Sequence, residues 1–345
     1  SRKLARPVAV RVKGPTGSGK SFVLEAVGRS MPPESVLVAT QITPQALFHM
    51  PPDSLRHKLI IAGERSRGKD DEVAEATRAL REMISSGRLS KLMPVKLGGE
   101  LQTVLIEQEG PIAFAESTTM SKVFAEDENR AIGIFTDERT DQTRLVMAGL
   151  ARGLSGADVD LAQYACGAAL LSHGVQRLLA RGDVVIPYAP KLADLLPANR
   201  VEIRRAFSQL LSLIQASGLL HQYQRERDDN GRLVAGPDDY KLARHLLREP
   251  MRRLVGSGPS DPARRFHKRL VGWFGWGSFT TKEAKLKEEA SRASVYEWLG
   301  ELSGAGAVEL LEAGRGRMPA RWEMRELGHD AEVLPSAAQL FGTDK

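Results

Sequence analysis

The first part of the chain alternates short apolar runs with one long amphipathic segment. The runs PVAVRVKG, HKLIIAGERS and PIAFAESTT have the composition of β-strands, and the last of them has the pattern of a buried strand. Between the second and third runs, the apolar residues Val73, Ala76, Leu80 and Ile84 have helical spacing, and Gly87 follows as the predicted C-cap. Strands that alternate with helices predict an α/β fold in which a parallel sheet is flanked by helices.

A hairpin is predicted between this helix and the buried strand. Two strand-like runs, SKLMPVK and ELQTVLIEQEG, are joined by the segment KLGGE at residues 96–100. Because Gly98 and Gly99 lie between β-rich runs, the segment predicts a hairpin with Lys96 near its tip. One more apolar strand is expected within ENRAIGIFTDE, and it ends in Asp137.

The remainder of the chain has mainly helical periodicity. The runs DVDLAQYACGAALLSHGVQRLLARG and NRVEIRRAFSQLLSLIQASGLL predict amphipathic helices within residues ~155–255, with a loop at 225–240. From about residue 262, the pattern predicts three helices and then two strands around a turn rich in glycine and arginine. The second of these helices has Thr280 or Thr281 as its N-cap. The tail after ~330 is expected to be loosely ordered.

Composition sets broad limits on these elements. The 345 residues allow two or three domains, and a single cysteine, Cys166, excludes an internal disulfide framework and a multi-cysteine zinc site. The sequence has no visible signal peptide and no apolar run near the roughly 18 residues of a membrane span, so a reducing, cytoplasmic setting is the default expectation. The net charge of +6 is compatible with a polyanionic partner. The basic run at 242–270 predicts either a solvated helical surface or a nucleic-acid contact.

A glycine-rich loop follows the first predicted strand and precedes the predicted helix KSFVLEAVGRSM. It matches the phosphate-binding pattern G-x-x-x-x-G-K-[ST], in which backbone N–H groups and the helix N-terminus surround the phosphates. In this pattern Lys20 reaches the β- and γ-phosphates and the Ser21 hydroxyl binds Mg²⁺. ATP and Mg²⁺ are therefore the expected cofactors. The candidate nucleotide-binding residues are Gly14, Pro15, Thr16, Gly17, Ser18, Gly19, Lys20 and Ser21.

Hydrolysis would also need an acid beside the metal ion and the attacking water. Glu64 lies at the C-terminal end of the predicted strand at 57–66, which is where ligands gather in an open α/β sheet. We interpret Glu64 as the residue that polarises water, against the simpler alternative of a surface glutamate. Many such ATPases carry a Mg²⁺-binding aspartate at the position of Gly63. Here Ser21, phosphate oxygens and waters could hold the metal, with Glu64 in its outer shell.

The order of these parts resembles the AAA+ ATPases that insert a β-hairpin before the sensor-1 strand. In particular, it resembles the MCM-like helicases and the helicase modules of phage and mobile-element primases. The resemblance implies a AAA+ P-loop ATPase core at residues 1–154 and a helical lid at 155–258. It further implies a winged-helix domain at 259–328 and a tail at 329–345.

The resemblance also implies roles for individual residues near the nucleotide. Ser117 corresponds to sensor 1, which orients the attacking water, with its neighbour Thr118 as the alternative. Arg130 corresponds to the arginine finger, which acts on the ATP of an adjacent subunit. Arg200 corresponds to sensor 2, with Arg204 one turn on as the alternative. For each arginine, the simpler explanation is a surface residue or a salt bridge.

Three further positively charged residues are candidates for DNA binding. Lys96 corresponds to the residue that grips the nucleic-acid backbone in the central pore of a ring, although a soluble hairpin tip would also carry a lysine. Arg315 and Arg317 lie in the predicted wing, together with Arg321, and suit phosphate contacts. Many winged helices bind protein instead of DNA. The residues of the predicted recognition helix that look more like core are Tyr296, Trp298 and Leu299.

The function that the resemblance implies is that of a ring-forming, ATP-driven DNA helicase or translocase in the replication of a mobile element or phage-like replicon. Single-stranded DNA would pass through the pore of a homo-oligomer, a hexamer by analogy, and duplex DNA could bind the winged helix. Because the active sites would lie between subunits, a monomer would hydrolyse ATP poorly. A primase domain or partner upstream of Ser1 is also suggested by the mobile-element resemblance.

Two other functions stay open at this point. One is a loader or adaptor that binds DNA and uses ATP as a switch, which Gly63 in place of aspartate favours. The other is a AAA+ transcriptional activator ATPase. That class carries a GAFTGA-type loop after the acidic strand, and the corresponding segment ERSRGKDDEVAEATRAL contains none.

Overall fold

The computed structural model describes most of the chain. The described residues are 1–40, 42, 46–64, 71–98, 100–119, 130–155, 159–198, 202–255, 259–288, 290, 292–314, 318–326 and 333–342.

Seven strands make up the first part of the molecule. Their bounds are β1 Ala9–Lys13, β2 Val36–Ala39, β3 Leu59–Glu64, β4 Arg88–Leu97, β5 Glu100–Glu109, β6 Ala113–Thr118 and β7 Ile132–Phe135. Five of them form a parallel sheet in the order β2-β3-β6-β1-β7. Every residue of the central strand β6 is buried, as expected for a parallel sheet that is covered on both faces. The predicted α/β fold is confirmed at this level.

One helix covers each face of the sheet. Helix α1, Lys20–Arg29, packs Leu24 against Val12 and the small alanines of β6. Helix α2, Asp71–Ser86, contributes Met83 to a second cluster that contains Phe114 on the opposite face. Gly87 then ends α2 with a positive φ of 70°, and its N–H donates to Met83 O at 3.0 Å. The predicted C-cap is therefore confirmed.

The predicted hairpin is also present and joins α2 to β6. Strands β4 and β5 pair antiparallel along ten positions, from Arg88 opposite Glu109 to Leu97 opposite Glu100. Gly98 has a positive φ of 61° in the turn, which is a conformation that glycine adopts without steric cost. Short 3₁₀ turns at Pro33–Ser35 and Ala46–His49 complete this part of the chain.

Residues 140–255 are mainly helical, as predicted from residue ~155 onward. The helices are α3 Thr140–Leu154, α4 Val159–Leu178, α5 Ala189–Asp194, α6 Glu202–Leu220 and α7 Pro237–Val255. Two short strands, β8 Val184–Val185 and β9 Leu233–Val234, pair in parallel beside them. Helices α6 and α7 pack around Leu210, Ile214, Tyr240 and Leu247, which are fully buried or nearly so. No helix among the described residues has the length and apolar composition that a membrane span requires.

The last part of the chain has a separate core. Its elements are α8 Asp261–Phe274, β10 Ser278–Thr280, α9 Thr281–Lys287, α10 Arg292–Gly304, β11 Val308–Glu312 and β12 Arg321–Met324. The three strands form an antiparallel sheet in the order β10-β12-β11 around Phe266, Phe279 and Leu299. Thr280 caps α9 through a reciprocal capping box with Glu283. The predicted helices and the two last strands are present, and β10 is an additional strand.

The expectation of a loosely ordered tail is wrong for residues 333–342. Helix α11, Ala337–Phe341, begins with a capping box at Ser336, and Leu340 is buried in the core around α6 and α7. Tyr240 Oη donates a 2.6 Å hydrogen bond to Pro335 O. The tail docks because its few apolar residues fill a surface that helices far away in the sequence provide.

Candidate nucleotide-binding site

The phosphate-type loop lies between the end of β1 and the start of α1. Gly17 and Gly19 have positive φ values of 81° and 89°, a region that side chains with a Cβ rarely adopt. Gly14 N donates to Thr118 O at 3.4 Å, which ties the start of the loop to the neighbouring strand β6. The loop therefore has the turn geometry that brings backbone N–H groups and the N-terminus of α1 together around an anion.

Lys20 is held inside this loop. Its side chain is buried, and Nζ donates to Gly14 O at 2.9 Å and to Pro15 O at 2.8 Å. An ammonium group has three N–H donors, so one of them is left for a phosphate oxygen. The Ser18 hydroxyl oxygen is buried in the loop with no hydrogen-bond partner among the described atoms. These two groups fit a bound phosphate, and the exposed Ser21 at the start of α1 is accessible to a metal ion.

Thr136, just after β7, packs against the base of the loop. Its N–H donates to Lys13 O at 3.0 Å and its hydroxyl donates to the same oxygen at 3.3 Å. A Cβ added at Gly14 would lie 2.0 Å from Thr136 Oγ1, so only glycine fits there. Sequence reasoning missed Thr136. The available signal was a polar residue that directly follows an apolar strand, at the carboxyl edge of the sheet.

Asp137, the acid that ends the predicted strand, is bound by a neighbouring arginine. Arg139 donates to both carboxylate oxygens, with Nη2 at 2.6 Å from Oδ2 and Nε at 3.0 Å from Oδ1. These hydrogen bonds from Arg139 lower the pKa of Asp137 to about 2. The carboxylate is therefore ionised and already paired within the chain.

Glu64 and Ser117 end neighbouring strands at the same edge of the sheet as the loop. Ser117 is opposite Val12 of β1 on one side and opposite Glu64 of β3 on the other. The register of β3 shifts by one residue between Ile61 and Glu64. Without this bulge, Gly63 would be opposite Ser117. The bulge therefore brings the acidic position into line with Ser117, which is how bulges often act beside functional sites.

Gly63 departs from the usual aspartate for a steric reason. A Cβ added at Gly63 would lie 2.4 Å from Thr40 O, an oxygen of the backbone just after β2. Real Cβ atoms do not approach a backbone oxygen so closely, and backbone cannot move aside as a flexible side chain can. An aspartate therefore does not fit at this position without displacing the end of β2.

Ser117 and Thr118 lie on opposite faces of the sheet, because side chains alternate along a strand. Ser117 follows Ala113 and Ala115 on the face that packs against Leu24 of α1. Thr118 is opposite Lys13 on the other face. Both residues are buried. The face of α1 is the one on which the loop leads into its helix, which favours Ser117 over Thr118 as the residue near the phosphates.

Arg130 lies at the opposite edge of the sheet. It precedes Ile132, which is opposite Val10 near the start of β1, and its Nη1 donates to Ser85 Oγ at the end of α2. The four residues of β7 span about 13 Å at 3.3 Å per residue. Arg130 and the loop of the same chain are therefore not brought together.

A buried ion pair behind the loop was not foreseen. Arg11 and Glu116 are opposite each other on β1 and β6, and Arg11 Nη2 lies 2.6 Å from Glu116 Oε1. Lys13 is buried on the same face, with Nζ 5.6 Å from the centre of the Phe135 ring. Charges inside a sheet are expensive to leave unpaired, so this pair ties the two strands that carry the loop and Ser117.

The remaining candidates lie elsewhere or outside the described residues. Arg200, Arg315 and Arg317 fall outside the described residues, so their predicted roles stay predictions. Arg204 is exposed in the first turns of α6. Lys96 is exposed on β4, opposite Leu101, next to the turn of the hairpin.

In the C-terminal part, positive charge lies on α8 and α9 and not on the predicted recognition helix. Leu299 is buried and the ring of Trp298 lies 5.3 Å from that of Phe266, so both belong to the core as expected. Tyr296 is 44% exposed, which corrects its assignment to the core. From residue 293 to 304, α10 contains no basic residue. The exposed basic residues of α8 and α9 are Arg265, Lys268, Lys282 and Lys287.

Comparisons with known proteins add little to this geometry. No protein-family model matches the chain, and no curated protein matches it significantly. Among solved structures, it is similar to one described as the Orc1 protein of Aeropyrum pernix in complex with DNA. The two share 13% identity, over 95% of this chain and 85% of that chain, with a TM-score of 0.25. A superposition this loose carries no argument about fold or function.

Proposed function

We propose that this chain is a AAA+ ATPase that forms a ring and uses ATP to move along DNA as a helicase or translocase. In this proposal the residues before about 155 are the ATPase core, the helices to about 258 are the lid and the last core is a winged helix. Replication of a mobile element or phage-like replicon in the cytoplasm is the setting that the order of motifs suggests.

One observation carries the proposal. Lys20, Ser117 and Glu64 belong to three strand ends at one edge of the sheet, whereas Arg130 lies at the other edge. A residue that serves as an arginine finger must reach developing charge on the γ-phosphate. Because Arg130 is a strand length away from its own loop, it could do so only in a neighbouring subunit, which is the arrangement of a ring.

The roles of the residues follow from their chemistry. The loop and Lys20 bind and orient the phosphates, and Ser21 would hold Mg²⁺ with phosphate oxygens and water. The metal ion would supply positive charge to the β- and γ-oxygens. Glu64 would accept a proton from the attacking water, which Ser117 would position. Arg200, or Arg204 in its place, would contact the γ-phosphate from the lid.

The hairpin is the part that would contact DNA. Its strands extend to a turn beside the exposed Lys96, and one such lysine per subunit would form a circle of positive charge in a hexamer. Duplex DNA could contact the C-terminal part, where the exposed basic residues of α8 and α9 join the predicted contacts of Arg315 and Arg317.

Strand displacement on a forked DNA, with ATP and Mg²⁺, tests the proposal. Wild type should unwind the fork, and Lys20→Ala and Glu64→Gln should abolish unwinding because they remove phosphate binding and water activation. The matched control is Glu25→Gln, an exposed residue of α1, which should unwind like wild type. Failure of wild type to unwind at every salt concentration and fork geometry would sink the helicase claim.

Mixed oligomers test the shared site. Arg130→Ala and Lys20→Ala subunits are each expected to be inactive alone, since every interface lacks one group. When they are mixed, some interfaces combine an intact loop with an intact arginine, and ATP turnover should partly return. No recovery at any ratio would contradict the role of Arg130 in trans.

A DNA-binding switch that uses ATP without rapid turnover is the second candidate. The steric exclusion of an acid at Gly63 favours it, because the site then lacks one protein ligand for the metal. The rate of ATP turnover with and without single-stranded DNA separates the two functions. A helicase should be strongly stimulated by DNA, whereas a switch should change little. The activator ATPase is the weakest alternative, and its diagnostic loop would fall partly outside the described residues.

A further inference from the structure

Helix α4 contacts the rest of the chain through its polar face. His173 Nε2 lies 2.9 Å from Arg29 O at the end of α1. Arg177 forms two hydrogen bonds with Glu34, at 2.8 and 3.1 Å. Helices of a folded monomer normally do the reverse and turn their apolar face inward.

The apolar stripe of α4 is exposed. Leu171, Val175 and Leu178 are spaced at i, i+4 and i+7, so they share one face, on the far side of the helix from His173. Their exposed fractions are 45–74%. The helix therefore leaves its hydrophobic side in solvent while its polar side holds it to the chain.

Helix α3 is exposed along its whole length. None of its fifteen residues is buried. Val146, Met147, Leu150 and Leu154 form a stripe at helical spacing and are 52–92% exposed. Isolated helices of about this length are marginal in water, and most helical stability in proteins comes from packing of the apolar face. Within the part of the chain that the structure describes, nothing covers this stripe.

The size of the exposed stripes matches one side of a protein interface. A fully buried side chain of this kind accounts for about 100 Å², so the seven side chains expose on the order of 500 Å² of apolar surface. A standard interface buries about 800 Å² per partner, of which about 450–520 Å² is apolar. This is also as large as the largest apolar patch on a typical monomer.

The chemistry around the stripes fits a protein surface better than a membrane. On α3 the flanking charges are of both signs, and Arg144 Nη1 lies 3.8 Å from Asp141 Oδ1. Membrane-surface helices instead have a polar face rich in lysine and arginine. Helix α3 also begins four residues after Thr136 at the base of the loop, so a partner on α3 would lie near the nucleotide.

We propose that the apolar stripes of α3 and α4 are the surface through which this chain binds a second copy of itself. The contact does not require ATP hydrolysis and therefore does not rest on the proposed function. It assigns self-association to helices that lie beside the ATPase core, independently of Arg130.

Sedimentation equilibrium over a range of protein concentrations, without nucleotide, tests this proposal. Wild type should associate. Leu150→Glu and Leu171→Glu should each weaken association at least tenfold, which corresponds to about 1.4 kcal/mol, because a charge would be buried at the contact. Ala148→Glu is the matched control. It places the same charge on the opposite face of α3, where Ala148 is exposed, and it should associate like wild type.

Three results would overturn the proposal. They are a wild type that stays monomeric at all concentrations, equal association of Leu150→Glu and Ala148→Glu, and monomers that bind phosphatidylcholine vesicles through Leu150. Thermal unfolding of the same variants shows whether they are folded. Lys20→Ala keeps the two proposals apart, since it should abolish ATP turnover and leave association unchanged.

Discussion

Helices α3 and α6 carry the same apolar spacing but meet opposite environments. In α6, Ala206, Leu210 and Ile214 are all fully buried. In α3, Val146, Leu150 and Leu154 have the same i, i+4, i+8 spacing and more than half of each residue is exposed. Spacing therefore determines that both segments form amphipathic helices, and it leaves open whether the same chain or another molecule covers the stripe.

The polar contacts of the two regions differ in the same way. Between α6 and α7, the buried carboxylate of Asp239 accepts hydrogen bonds from Ser217 Oγ at 2.6 Å, Gly236 N at 2.8 Å and Arg225 Nε and Nη2, both at 2.8 Å. The ion pair that holds α4 to the chain, Arg177 with Glu34, is exposed. Buried and fully paired polar groups are costly to disturb, whereas exposed ion pairs contribute little.

The largest expected effect comes from Asp239→Asn. Removing the charge leaves the Arg225 guanidinium without its partner, so we expect a loss of about 3–5 kcal/mol in the free energy of unfolding at pH 7, measured by urea denaturation. The same substitution in an exposed pair, Glu34→Gln, should cost less than about 1 kcal/mol. Equal losses would remove the contrast between the two regions.

The pH dependence of that loss has a definite sign. Burial raises the pKa of Asp239, but the hydrogen bonds from Arg225, Ser217 and Gly236 outweigh it, and the net pKa is lowered. A lowered pKa in the folded state stabilises the protein above the unfolded value, about 3.9, and this contribution is lost as the pH falls through the folded pKa. The difference between wild type and Asp239→Asn should therefore be full at pH 7 and shrink below about pH 4.

Leu210→Ala is expected to have the next largest effect. Leu210 is fully buried in the middle of the α6 stripe, and truncation there removes apolar burial and leaves a cavity. Substitutions of this kind cost about 2–5 kcal/mol. Urea denaturation followed by circular dichroism measures the loss. A cost below about 1 kcal/mol would indicate that the α6–α7 core is looser than its burial implies.

Much of the fold and of the candidate site could be predicted because its signals are local. The loop from Gly14 to Ser21, the hairpin turn at Gly98 and the N-cap at Thr280 depend on residues within a few positions of each other. The strand ends at Glu64 and Ser117 were also predictable, because apolar runs end there. Local patterns fix elements and their ends.

The rest depends on residues far apart in the sequence. The pairing of Arg11 with Glu116 joins strands more than 100 residues apart, and the tail docks through Tyr240 and Pro335, which are 95 residues apart. The steric reason for Gly63 lies in the position of Thr40 on another strand. No periodicity in one segment reports which distant segment it will contact, so these features could not be predicted from the sequence.

Leu150→Ala should have the smallest effect, and it is the sharpest test of the comparison. Leu150 occupies the same middle position of the α3 stripe that Leu210 occupies in α6, but it is exposed, and alanine is at least as good a helix former as leucine. At protein concentrations low enough for the chain to be monomeric, the free energy of unfolding should change by less than about 0.5 kcal/mol. A loss close to that of Leu210→Ala would mean that the chain itself covers α3. At higher concentrations, where copies associate, the same variant should unfold more easily than wild type, because the stripe stabilises the fold only once a second copy covers it.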